Sequence, residues 1–286
     1  MPALFVLLQH LLPQHTLSRL AGWLAGCRVA WLKNTLIRWF IRRYRVDLSQ
    51  AAINDVTAFR DFNDFFTRRL KDGARPLAQA PDAVLCPADG MISELGLLQG
   101  DRVLQAKGRT YSLAALLGGD PADSEPFLDG SFITIYLSPR DYHRVHMPVA
   151  GQLRRTIHVP GRLFSVNQAT VNGVTDLFAR NERLICFFDT EFGPMAQVLV
   201  GAMIVAGIDT VWAGQVPTGG PGATIVDYSG DRLPVQLAQG EEMGLFRLGS
   251  TVITLFGPGA VRFENHWQAG DTVQMGIVLG RRSPQS

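Results

Sequence analysis

An α+β fold, with amphipathic helices at the N-terminus followed by a mainly antiparallel β sandwich or barrel-like core, is predicted by two successive patterns along the 286 residues. Up to about residue 70, apolar residues recur at helical spacing among arginines. From about residue 80, short runs rich in Val, Ile, Phe and Thr are separated by Gly, Pro and Asp, the punctuation of strands and turns. The third observation is bulk: 47% apolar and 18% charged residues supply a core for one or two domains and exclude disorder for most of the chain. The 29 Gly and 16 Pro follow no collagen period, and no 20–50-residue repeat is present. The expected division is a helical region over 1–60 and a β-rich domain over 61–286.

Residues 1–18 carry no Lys, Arg, Asp or Glu, but no basic segment precedes the apolar run Ala3–Leu8 and no convincing cleavage site follows, so export is not expected. Gln9, His10, Pro13, Gln14 and His15 interrupt that run well short of the ~20 apolar residues of a spanning helix. Two amphipathic helices are predicted instead, over about 3–12 and 17–45, broken near Pro13. In the second, Arg38, Arg42 and Arg45 form one stripe and Leu32, Leu36, Trp39 and Phe40 another. Such a helix either lies in a membrane interface or packs on the protein's own core with its arginines solvated.

Asn63–Leu70 reads as a further short helix, ended by Asp72-Gly73 and Pro76. Phe132–Leu137, Leu184–Phe188, Gln197–Val205, Thr210–Ala213 and Thr251–Phe256 read as strands, and Asp120–Pro126 and Val216–Ala223 as loops. At Ser138–Pro148, Ser138 as N-cap, Pro139 as first helical residue and Asp141 as third predict a helix start that Pro148 soon stops.

The net charge of +2 conceals an asymmetry. Residues 1–50 hold seven Arg and Lys against the single Asp47, and the remainder has four more acids than bases. Basic residues mixed with Leu, Trp and Phe suit an anionic membrane surface better than nucleic acid. Only Lys33, Lys71 and Lys107 are lysines, few candidates for the Schiff-base lysine of a pyridoxal-phosphate enzyme. Cys27, Cys86 and Cys186, odd in number and without CxxC, point to buried thiols in a reducing compartment.

Three segments carry candidate chemistry. Pro87-Ala88-Asp89-Gly90 places an acid in a turn before a strand, in isolation an ordinary turn aspartate. Ser138–Pro148 (SPRDYHRVHMP) contains His143 and His146; HxxH offers two metal ligands without an obvious third nearby, so separate acid/base roles are the more natural reading and no metal is expected. Leu248-Gly249-Ser250-Thr251 enters the strand that Gly257-Pro258-Gly259 ends, a weak signal when taken alone.

In combination these segments resemble the bacterial phosphatidylserine decarboxylase proenzyme family. The resemblance also covers Val159-Pro160-Gly161-Arg162-Leu163-Phe164-Ser165-Val166-Asn167, Phe178–Arg183 (FARNER) and Phe188–Met195 (FDTEFGPM), in order over about 59–259. His158 departs from it, standing where the family is expected to carry Tyr. The resemblance implies that Ser250, with His146 as base and Asp89 as the carboxylate orienting it, attacks the Gly249 carbonyl and splits the precursor into chains 1–249 and 250–286. Residue 250 becomes a covalent pyruvoyl group, the electron sink needed once an α-amino acid headgroup loses carbon dioxide. The substrate amine forms a Schiff base with it, phosphatidylserine becomes phosphatidylethanolamine, and His143 is the candidate acid that protonates the product carbon. The implied partners are phosphatidylserine in an anionic membrane and the two cleavage chains as a heterodimer, with a homodimer of these left open and no nucleic acid. The implied location is peripheral, on the cytoplasmic face of the membrane, with 1–60 as the associating region and 61–286 as the catalytic domain. Arg140, Arg144 and Arg162 are candidate phosphate contacts or surface charges.

Three rivals stand beside this reading. A Ser-His-Asp hydrolase uses the same residue types but lacks a GxSxG elbow here. A non-enzymatic membrane module leaves the histidine and LGST segments unexplained. A pyruvoyl enzyme for a soluble amino acid leaves the basic N-terminus unexplained.

Overall fold

The computed structural model describes residues 14–106, 108–202, 207–230, 234–247 and 249–284, so the helix expected over 3–12 lies outside the described residues. The second expected helix is divided in two, α1 (Gln14–Ala25) and α2 (Ala30–Tyr44). Gly26 is a poor helix former, and the chain tightens there: Cys27 N–H donates to Leu24 O at 3.1 Å, and Val29 is extended before the new start. The third helix, α3 (Phe62–Phe66), begins where the Asp61 carboxylate caps Asp64 N–H at 2.9 Å. It ends four residues before the expected Leu70, because 69–71 is extended and pairs with 50–52 through Ala52 N–H to Arg69 O and Lys71 N–H to Gln50 O.

The strands in chain order are β1 (Ala83–Leu85), β2 (Gly90–Leu97), β3 (Arg102–Ala106), β4 (Arg109–Ser112), β5 (Ser131–Leu137), β6 (Arg144–His146), β7 (Gly151–Val159), β8 (Arg183–Thr190) and β9 (Gly193–Gly201). They continue as β10 (Ile208–Thr210), β11 (Gly214–Gln215), β12 (Thr224–Asp227), β13 (Gln236–Leu237), β14 (Glu242–Phe246), β15 (Ser250–Phe256), β16 (Val261–Phe263), β17 (Thr272–Val273) and β18 (Val278–Arg282). The main sheet runs β12-β7-β8-β9-β15-β5-β2-β17, with β13 also on β7, and its pairings are antiparallel. It is open, so the fold is α+β without a closed barrel.

Both faces of this sheet are covered, which is why β15 reads as a continuous apolar run rather than an alternating one. Val252 and Phe256 pack in one layer with the small sheets β11-β10-β14-β6 and β1-β18-β16. Ile253 and Leu255 pack in the other with the β3–β4 hairpin and short helical turns. A third cluster joins Ile37 and Phe40 of α2 to Phe59, Phe62, Phe65 and Phe66. Lys33 is buried there, its Nζ donating to the carbonyls of Thr57 and Phe59.

Several local expectations change. Asp120–Pro126 contains a helical turn, Pro121–Ser124, capped by Asp120 with proline at its start. Thr210–Ala213 is mostly turn, the strand preceding it, and Ala213 N–H donates to Thr210 Oγ1 at 3.2 Å. At Ser138–Asp141 the helix start is a single turn: Asp141 N–H donates to Ser138 O at 2.9 Å, and the Asp141 carboxylate accepts from both N–H and Oγ–H of Ser138 at 2.7 Å. The chain then extends into β6, which pairs with β14.

Candidate active site

Ser250 opens the central strand β15, in register between Leu137 of β5 and Gly201 of β9. It is fully buried, and its Oγ has no hydrogen-bond partner. A hydroxyl normally finds a partner when buried, so leaving this one without carries an energetic cost. Gly249 before it has φ +34°, with open space where a Cβ would lie. Backbone conformation, rather than crowding, is therefore what calls for glycine here. Gly249 also lines an apolar chamber of about 610 Å³, walled by Leu24, Leu36, Trp39 and Phe40 of the helices and by Tyr136 and Val166 of the body.

His143 is completely buried, its Nδ1 2.9 Å from Asp141 O. A carbonyl only accepts, so Nδ1 carries the proton and Nε2 has the lone pair, buried and without a partner. Phe66 of α3 lies against the ring. Burial pulls the imidazole down to about 3, and neighbouring Arg68 lowers it further against the opposing effect of the Asp141 carbonyl, so it is neutral near pH 7.

His146 shows the same tautomer. Its Nδ1–H donates to Gly240 O at 2.9 Å, leaving Nε2 to accept from the Tyr142 hydroxyl at 3.2 Å. Burial, above all, lowers its pKa too, while the charges of Glu242 and Asp89 pull the other way. Tyr142 is pushed up to about 12, also by burial, and keeps its proton.

Asp89 makes no hydrogen bond to His146. Its carboxylate accepts from Arg75 Nε at 2.9 and 3.1 Å, from Arg75 Nη2, and from Met275 N–H at 2.9 Å. The fork raises the Arg75 pKa. Gly90 beside it permits β2 to approach β5, since a Cβ there would sit 2.3 Å from Tyr136 O. Asp89 and His146 are thus neighbours through backbone, with His146 N–H on Pro87 O at 2.8 Å, and through charge.

Arg144 is buried, donating to Glu242 and to Thr67 O, whereas Arg140 and Arg162 are exposed. Sequence reasoning missed Arg75, Tyr142 and the Gly240 carbonyl. Tyr142 was recoverable from its place inside the histidine segment, but nothing local marks Arg75, 14 residues before its partner. Among the described residues, no group of three or more His, Cys, Asp or Glu is placed to hold a metal ion.

An unpartnered buried serine at a strand entry, a buried histidine with a bare Nε2, a second whose Nε2 meets only a tyrosine hydroxyl, and an adjoining apolar chamber have the makings of an enzyme site. A family model described as phosphatidylserine decarboxylase matches residues 62–281, and a second, described as PSD, matches 4–45. The chain is 58% identical over 284 residues to a phosphatidylserine decarboxylase proenzyme of Pseudomonas fluorescens, covering 99% of both chains. It is 59% identical over 279 residues to one from Pseudomonas aeruginosa, covering 96% of both, and 57% identical over 278 residues to one from Ectopseudomonas mendocina, covering 97% of both. The chain belongs to the phosphatidylserine decarboxylase family and is an enzyme.

Proposed function

We propose that the chain cleaves itself between Gly249 and Ser250 and then decarboxylates phosphatidylserine to phosphatidylethanolamine at a membrane surface. The buried, unpartnered Oγ of Ser250, directly after a glycine at positive φ, carries the proposal. Oγ attack exchanges the Gly249–Ser250 amide for an ester and frees the amine of residue 250. Loss of the α-hydrogen and cleavage of the Cβ–O bond release Gly249 as a carboxylate. The dehydroalanine that remains tautomerises, takes up water and loses ammonia, leaving a pyruvoyl cap on 250–286.

His146 is the base in this reading. Gly240 fixes its tautomer, and Tyr142 must yield Nε2 to the serine proton. Asp89 favours the imidazolium through its charge and ties the two cleavage chains together through Arg75 and Met275. The residues fit a keto cap at 250: strand pairing to Leu137 and Gly201 fixes its backbone, and no donor competes at the Oγ position. That group supplies an electrophilic carbonyl for the substrate amine and a sink for the electron pair left by carbon dioxide. His143 Nε2 is bare before substrate arrives. The anionic carboxylate and phosphate of the headgroup favour its protonated form, which then protonates the product carbon.

Interleaved strands support a heterodimer of the two chains. Segment 250–286 contributes β15, held between β5 and β9, together with β17 on β2 and β18 on β1, so the pieces stay hydrogen-bonded after the cut. The division into a helical region over 1–60 and a catalytic domain over 61–286 is part of this proposal, with Phe62, Phe65 and Phe66 of the second packed on α2 of the first. No helix of the described residues is long and apolar enough to cross a membrane. α2 packs Ile37 and Phe40 inward, while Trp23, Trp31 and Trp39 are 73%, 72% and 54% exposed beside exposed Arg38, Arg42 and Arg43. That face suits an anionic leaflet, with acyl chains entering the chamber at Gly249. The three free cysteines fit a reducing, cytoplasmic side. A denaturing mass spectrum tests the proposal: chains 1–249 and 250–286 are expected, the shorter blocked at its N-terminus. A single intact chain with full decarboxylase activity would overturn it.

A further inference from the structure

A second chamber, of about 470 Å³, is lined by Gly201 where the apolar one is lined by Ala202, with Ser18 and Gly22 of α1 in its wall. Glu182 faces it and is 5% exposed. One carboxylate oxygen, Oε1, accepts from His158 Nε2 at 3.2 Å and from Gly219 N–H at 3.3 Å. The other, Oε2, is buried without a partner. A buried carboxylate oxygen lacking a donor is unusual and marks a place where a ligand's donor fits.

Strand register relates this oxygen to the reacting residue. Ser250 pairs with Gly201, and Gly201 N–H donates to Glu182 O at 2.8 Å, so the three residues form one cross-strand row. Leu184, two residues after Glu182, and Val252, two after Ser250, pack in the same core layer, so Glu182 and Ser250 use the same face of the sheet. Two strand spacings place their backbones about 10 Å apart. Gly201 between them, without a side chain, lines the chamber. Arg247, the other strong charge of the chamber, is already matched by Asp209 at 2.9 and 2.7 Å. An anion would therefore meet the unpaired oxygen of Glu182, and a cationic donor would satisfy it.

We infer that Glu182 is a recognition residue for a primary ammonium, that of an aminophospholipid headgroup, which it holds beside residue 250. The inference rests on the phospholipid reading above. Three N–H donors on a compact cation suit the open Oε2. The two chambers take adjacent residues, Gly201 and Ala202, Gly22 and Ala21, Asn63 and Phe62, so headgroup and chains of one amphiphile fall to neighbouring spaces.

The test uses uncleaved Ser250→Ala protein, so that no pyruvoyl chemistry enters the readout. Short-chain phosphatidylethanolamine is expected to bind at least tenfold more tightly than its N-acetyl derivative, and Glu182→Gln is expected to erase that difference by weakening only the former. Equal binding of the two lipids, absence of binding by either, or discrimination that survives Glu182→Gln overturns the assignment. Should Glu182→Gln fail to fold, a crystal of the Ser250→Ala protein with the same lipid decides: nitrogen within hydrogen-bond reach of Glu182 Oε2 supports the assignment, and nitrogen elsewhere refutes it. Failure of the decarboxylase reading is seen separately, in the mass spectrum of the wild-type chain.

Discussion

The ring of Phe66 lies against the imidazole of His143, centroids 4.1 Å apart and planes inclined at 46°. Phe66 also meets Phe40 of α2 at 5.8 Å, edge to face. Two further links run the same way: Arg68 Nη2 donates to Arg140 O at 2.9 Å, and Arg144 Nε donates to Thr67 O at 2.9 Å. The amphipathic helices and the histidine segment are therefore one packed unit, and a displacement of α2 is felt at His143.

Removing that ring is the direct check. Phe66→Ala opens a cavity and is expected to lower stability by about 3–5 kcal/mol. It also admits water to His143, and since burial is what depresses that imidazole, its pKa is expected to rise from about 3 toward 6.5. Histidine titration followed by NMR on the uncleaved Ser250→Ala background reads this shift. An unmoved His143 would mean that other walls, not Phe66, keep it dry.

Gly249 is the next lever. Alanine there meets no neighbour, so only the φ of +34° opposes it. Gly249→Ala is expected to cost about 1–2 kcal/mol if the conformation is kept, and to slow the appearance of chains 1–249 and 250–286 on a gel. Cleavage at the wild-type rate would show that the left-handed geometry is not needed for attack.

The exposed tryptophans separate membrane docking from simple packing. Replacing Trp23, Trp31 and Trp39 by Ala leaves the buried Ile37 and Phe40 in place. Binding to vesicles containing anionic lipid is expected to fall about tenfold or more, with little change in thermal unfolding. Unchanged vesicle binding would leave the helices as packing elements only.

Sequence pattern disclosed the elements whose environment is uniform along their length. Ser131–Leu137 and Ser250–Phe256 are flanked by strands and covered on both faces, so a run of apolar residues suffices to find them. Asn63–Leu70 reads as one helix, yet α3 stops at Phe66, because its end is set by pairing of 69–71 with 50–52, a partner distant in sequence. The candidate site divides in the same way. Asp89, His143, His146 and Ser250 were visible from their motifs, whereas Arg75 on Asp89 and Gly240 on His146 are contacts across 14 and 94 residues. The departure at His158 was visible too, but its meaning required Glu182 beside it.

The Arg75–Asp89 fork is nearly dry, with side-chain exposures of 9% and 10%. Arg75→Met leaves Asp89 buried with only the Met275 N–H, and is expected to destabilise by about 3–5 kcal/mol. Adding Asp89→Leu removes the stranded charge and is expected to recover part of the loss, giving a coupling energy well above 0.5 kcal/mol in urea unfolding. Additive effects would mean that the fork contributes geometry without net stability.

Acid sensitivity follows from the histidines. In the unfolded chain His143 titrates near its ordinary 6.5, whereas in the fold burial keeps it neutral down to about 3. Between those values the unfolded state binds a proton that the native state refuses, so stability is full above about pH 6.5 and declines as pH falls. The contribution of one such histidine reaches ~1.4 kcal/mol per pH unit. His146, lowered in the same direction, adds to the slope. His143→Asn removes one of the two contributions, so the stability difference between wild type and variant is expected to vary with pH between 6 and 4 at about that slope. Urea melts across this interval measure it. A difference independent of pH would contradict a neutral, buried His143 and, with it, the view that the proton it later delivers arrives only with the substrate.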